Sequence, residues 1–103
     1  MAGEEWTSEE LSASVRAYLW MLDQEREGVA YVKARIRDEA LAGPLSGRSV
    51  GSFEYRMQNI SQVLDELGHQ WVPGYKPAAN VGSYPTARIL QALRIEGYPV
   101  DDP

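Results

Sequence analysis

The chain has no cysteine and a single histidine, His69, among 103 residues. Disulfides and cysteine-ligated metals are therefore excluded, and a cytoplasmic setting is the default expectation. A zinc centre built on one imidazole would have to be completed by carboxylates, a poor donor set for that metal. No apolar run approaches the roughly 20 residues that span a bilayer, and no signal-peptide pattern opens the chain. Strand-period alternation is missing as well. So are the P-loop, the dinucleotide-binding glycine pattern, the nucleophile elbow and HExxH. Ser46, Ser49, Ser52 and Ser61 have no histidine or lysine base close by in sequence, and Glu54 and Asp65 are too far apart along one helix to work as a carboxylate pair. The expectation is a protein without a catalytic constellation, a cofactor or a metal.

What is present is an ordinary globular composition, 44% hydrophobic and 24% charged. The length suits one domain with one modest core. The net charge is −5 and unevenly spread. Residues 1–27 carry seven acids against two bases, residues 28–94 eight bases against five acids, and the tail from Glu96 three acids. A locally basic middle is compatible with phosphate contacts, although the net charge would not draw the chain to DNA.

Four helices are expected, arranged as a small all-α bundle over residues 1–103. The first opens on a capping box, Thr7 as N-cap and Glu10 at N3, with Trp6 and Leu11 placed as a hydrophobic staple. Leu11, Val15, Tyr18, Leu19 and Leu22 make its apolar face, and Gly28 stops it. Trp20 and Met21 fall off that stripe and either widen it or face a neighbouring surface. A second helix is expected over Tyr31 to Leu41, ending at Gly43-Pro44, with Val32, Ile36, Ala40 and Leu41 inward. Lys33 and Arg37 lie one turn apart on its flank, where Asp38 and Glu39 can pair with them or leave them to a nucleic-acid backbone.

The longest periodic stretch is Arg48 to Gly68. Val50, Phe53, Met57, Ile60, Leu64 and Leu67 fall on one stripe, opposite Glu54, Gln58, Ser61 and Asp65. Its entry, with Gly47, Arg48, Ser49, Gly51 and Ser52, suits a helix N-terminus, whose unpaired N–H groups can hold a phosphate. The serines equally suit simple capping. The second helix, the loop and this helix make a helix–loop–helix unit, in which the later helix would be the one to enter a groove. Residues 69–85 follow without periodicity, carrying three prolines, Trp71, Tyr75 and Tyr84. Trp71 and Val72 are expected in the core. Tyr75-Lys76-Pro77 either projects, as an aromatic and a base for a nucleotide, or folds Tyr75 over the helices. The fourth helix is expected from about Ser83, capped by Ser83, with Ala87, Leu90 and Leu93 inward and Ile89 beside them. The fourth helix is expected to end at Gly97-Tyr98-Pro99, and within the acidic tail, 97–103, the final VDDP is expected to fray.

EWTSEEL and AYLWML, then GRSVGSFEYRMQNISQVLDELG, then QWVPGYKPAANV, together resemble the N-terminal head domain of McrA-like HNH restriction endonucleases. Such enzymes cut methylated or phosphorothioated DNA. The resemblance covers roughly residues 5–96, and its most specific parts are RS-x-GS-x-E-Y-R-x-QNIS-x-VL and W-x-PGYKP. It implies a helical accessory domain of a modification-dependent restriction system, either excised or free-standing. In that family the modification-reading and nuclease domains lie downstream, and an HNH centre needs more histidines than this chain has. The matching positions that the resemblance offers as DNA contacts are Arg48, Ser49, Ser52, Tyr55, Arg56, Gln58, Asn59, Tyr75 and Lys76. The partners it implies are DNA and the downstream nuclease domains. Independently, the acidic first helix with Trp20 and Met21 off its stripe suits a protein-interaction or dimerisation module, with a homodimer partner and no direct DNA contact.

Overall fold

The structure is a computed structural model that describes residues 5–78 and 82–101. Among these residues there are four helices and no strand: α1 (Ser8–Glu27), α2 (Lys33–Ala42), α3 (Val50–Glu66) and α4 (Ser83–Ile95). The expected all-α bundle is what forms.

α1 begins as its sequence announces. The Thr7 hydroxyl accepts from the Glu10 N–H at 3.1 Å, and the Thr7 N–H donates to Glu10 Oε1 at 2.9 Å. Trp6 and Leu11, on either side of this box, are both buried. The helix ends where Gly28 turns left-handed at φ 70°, a conformation that a Cβ makes costly. Leu11, Val15, Tyr18 and Leu22 are inside, with Leu19 half-buried. Met21 is fully buried and widens the stripe, whereas Trp20 is 47% exposed.

α2 starts two residues later than its pattern suggested. Val32 is its N-cap and is exposed rather than inward. Only Ala40 is buried, with Ile36 and Leu41 partly so. Much of the anchoring comes just afterwards, where Leu45, read as loop, is completely buried.

α3 and α1 form the centre. Each packs against the other and against both α2 and α4, while α2 and α4 do not meet. Three neighbours explain why α3 buries more than one stripe. Phe53, Met57, Ile60 and Leu64 are inside as expected, and Val63 and Asn59 join them. Ser61, assigned to the polar strip, is fully buried because α1 crosses there. Its hydroxyl lies 2.7 Å from Tyr18 Oη, which also accepts the Val72 N–H at 2.9 Å. Burial pushes the Tyr18 phenol up to about 12, against the opposing hydrogen bonds. Val50 corrects the pattern in the other direction. At the first position of the helix it is 45% exposed.

α4 is capped by Gly82, not by Ser83, which is its first helical residue. Ile89, Ala92 and Leu93 face the core and Leu90 is half-buried, but Ala87 is exposed. The inward arc is thus rotated from the expected one, toward α1. The tail holds on longer than its acidity suggested. Tyr98 and Val100 are buried, His69 Nδ1 lies 2.8 Å from Tyr98 Oη, and Arg94 reaches Asp101 at 3.6 Å. Asp102 and Pro103 lie outside the described residues, as do Ala79, Asn80 and Val81 of the PGYKPAANV segment. None of the four helices is long and apolar enough to cross a membrane.

Candidate nucleic-acid interface

The entry to α3 is built around Trp6. This side chain, 5% exposed, carries two guanidinium groups over its ring, Arg48 at 5.0 Å and Arg56 at 4.7 Å from the centroid. Such stacking on an indole face is favourable for cations, more so when partly desolvated. The two arginines reach Trp6 from different places, one from the loop before α3 and one from its second turn.

Arg48 is neither a solvated charge nor a group aimed from the helix end at solvent. Its Nη2 and Nε donate to the two carboxylate oxygens of Glu10 at 2.7 and 2.9 Å, and Nη2 also donates to the Glu5 carbonyl at 3.1 Å. Both side chains are largely covered, at 17% and 18% exposure. Two parallel charge-assisted bonds of this kind are among the strong ones. The Arg48 hydrogen bond lowers the Glu10 carboxyl to about 2, desolvation opposing and the Thr7 hydrogen bonds adding to the effect. Ser49 caps the helix by accepting the Ser52 N–H at 3.1 Å. Of the two serines, only Ser49 caps through its side chain, and Ser52 supplies the backbone N–H that it accepts.

Arg56 is in a different electrostatic state. Burial disfavours its charge, and so do the nearby Arg88 and Arg48. It has no carboxylate partner among the described residues. Its Nη1 donates to Asn59 Oδ1 at 3.2 Å, one turn along α3. Arg56 Nε and Asn59 Nδ2 are buried donors without an acceptor among the described residues, and Asn59 is only 2% exposed. Leaving such donors unmatched costs on the order of 1–3 kcal/mol each. Two guanidinium groups thus share one indole face, with Arg88 close enough to Arg56 to disfavour its charge and the Glu10 carboxylate engaged by Arg48.

The remaining candidates spread outward. Tyr55 is 53% exposed, Ser49 and Lys76 are exposed, and Ser52 and Gln58 are half-buried. Tyr75 is not the projecting aromatic that one reading allowed. It is buried at 6% exposure, because Pro73-Gly74 reverses the chain, with the Tyr75 N–H bonded to the Val72 carbonyl at 3.2 Å. Gly74 at φ 97° takes the position such a turn reserves for glycine. Desolvation, with Glu54 nearby, raises the Tyr75 phenol. Tyr75 and Gln58 line a cleft of about 300 Å³ between α2, α3 and the turn. Its bases are matched by acids. Arg37 reaches Asp38 at 3.0 Å and Glu54 at 3.7 Å, and Lys33 reaches Glu25 at 3.9 Å.

The structure therefore joins Arg48, Arg56 and Asn59 at one corner and Gln58 with Tyr75 in a neighbouring cleft, while leaving Ser49, Tyr55 and Lys76 as the open positions. Trp6, Glu10 and Arg88 complete the corner and were not among the candidates. Trp6 and Glu10 had a local explanation as staple and cap, and nothing local linked either to Arg48. No group of three or more histidine, cysteine or acidic side chains that might hold a metal occurs among the described residues. Comparison with protein-family models, curated proteins and solved structures returns no match.

Proposed function

We propose that this chain is a non-catalytic DNA-binding or DNA-positioning accessory domain of a modification-dependent restriction endonuclease system. The observation that carries the reading is the state of Arg56. A half-buried guanidinium with no carboxylate partner among the described residues, in the field of two others, is an incompletely compensated positive charge. A phosphate arriving over the start of α3 compensates it. Arg48 is already matched by Glu10 and acts chiefly by holding the corner together. Ser49, Tyr55 and Lys76, the exposed candidate positions, make the first contacts. These are contacts to backbone, which position a domain without reading sequence. Reading of a modification is left to other domains of such a system.

The test is a fluorescence-anisotropy titration of plain, methylated and phosphorothioated duplexes over a salt series. Binding at low salt that weakens linearly in log[salt], alike for the three duplexes, supports the reading. Lys76→Gln, at an exposed position, should lower affinity and reduce the salt slope by about one. No binding at the lowest salt rules the reading out.

A second reading, a protein-interaction module without DNA contact, is favoured by a separate observation. Trp20 stands half exposed on the far side of α1. The downstream nuclease domains of the restriction system, or a homodimer partner, are the occupants this reading offers.

A further inference from the structure

Trp20 projects from α1 with Tyr31 set edge-on against it, ring centroids 5.9 Å apart. Beside it a groove of about 430 Å³ runs between α1 and α2. Its floor is small side chains, Ala13, Ala17 and Ala40, and Trp20 and Ile36 stand at its sides. Val32, one turn before Ile36, is 62% exposed and continues the α2 side. Trp20 and Val32 thus leave apolar surface uncovered along this groove.

Two charges stand in the same lining, Arg16 on α1 and Glu39 on α2. Arg16 touches Glu96 at 3.1 Å, yet its side chain is 62% exposed. Glu39 is exposed and makes no ion pair among the described residues. The two sides of the groove thus carry opposite charges.

We infer that this face pairs with a second copy of the chain about a two-fold axis. A two-fold interface uses one patch twice, so the patch must hold both the knob and the hole, and each charge must meet its opposite. The α1–α2 face meets both demands. Trp20 is the knob, and the alanine-floored groove is the hole. Arg16 of each copy faces Glu39 of the other. A partner of one charge sign would be attracted by one side of the groove and repelled by the other, whereas an identical copy is matched at both. The alanines let the helices approach closely. The inference rests on this face alone and is independent of the DNA reading.

Sedimentation equilibrium of the whole chain, from on the order of 10 μM to on the order of 1 mM, tests it. The average mass should rise from one chain toward two. Arg16→Glu alone and Glu39→Arg alone place like charges across the axis, and each should raise the dissociation constant about tenfold or more. An equimolar mixture of the two variants restores both charge pairs and should dimerise again. Trp20→Ser removes the knob and should abolish association even in the mixture. Circular dichroism of each variant checks that the helices are intact. A strict monomer at the highest concentration overturns the inference. So do single variants that associate normally, and a mixture that stays monomeric.

Discussion

The Trp6 corner and the α1–α2 groove are near opposites. At the corner, charged side chains are drawn inward over an aromatic ring, Arg48 matched to Glu10 and Arg56 without a carboxylate partner among the described residues. At the groove, an aromatic ring and aliphatic side chains are left facing water, flanked by exposed charges. The polarity of a residue therefore does not decide which side of this fold it occupies. Neighbours do. Arg48 and Arg56 are covered because Trp6 and α1 lie over them, and Trp20 is uncovered because α2 brings too few large side chains to close the gap. The contrast also separates two kinds of contact. On the readings proposed above, the corner would take a phosphate and the groove a second apolar surface.

Several substitutions sharpen or break this contrast. The largest effect is expected from the two exposed-versus-buried tryptophans taken as a pair. Trp6→Ala should cost about 3–5 kcal/mol in urea unfolding, because it empties a buried site and strips the support from two guanidinium groups. Trp20→Ala in the monomer should cost less than about 1.5 kcal/mol. Equal costs would break the contrast. Next is Tyr18→Phe, which leaves the Val72 N–H and the Ser61 hydroxyl buried without their partner. A loss of about 1–3 kcal/mol is expected in the same measurement.

The Arg48–Glu10 pair gives a pH signature. The Glu10 carboxyl is lowered from 4.5 to about 2 in the folded chain. Its stabilisation is fully present above about pH 4.5 and is lost as pH falls toward 2, amounting to no more than about 3 kcal/mol. Arg48→Ala should remove most of that dependence, together with stability at neutral pH. Thermal melts of both proteins between pH 2 and pH 6 measure it, and an unchanged slope in the variant would mean that the pair does not hold the corner. The smallest effect is expected at Lys76→Gln, within about 0.5 kcal/mol of the natural stability, since the side chain is exposed.

What was legible in the sequence was what depends on near neighbours. Thr7 and Glu10 stand three apart and declare a cap, Gly28 declares a stop, and the 3–4 spacing of Phe53, Met57, Ile60 and Leu64 declares a buried face. The candidate site was legible only in part. Arg48 finds Glu10 38 positions away, and Tyr18 finds Ser61 43 positions away. Such pairs form only when α1 and α3 cross. Helical spacing also treats a helix as having one neighbour. α3 has three, which is why Ser61 and Asn59 are inside. α4 presents Ile89, Ala92 and Leu93 rather than the arc through Ala87, because α1 meets it from that side. Tyr75 turned inward through a proline–glycine reversal whose direction no periodicity encodes.

The most direct test of a phosphate-facing corner and a separate apolar face is a ¹H–¹⁵N correlation spectrum of the protein titrated with a short duplex at low salt. Shifts should concentrate at Ser49, Ser52, Tyr55, Arg56 and Lys76, reverse on adding salt, and leave Trp20, Ile36 and Glu39 unmoved. Shifts centred on Trp20 and Ile36, or no shifts at any salt concentration, would contradict it.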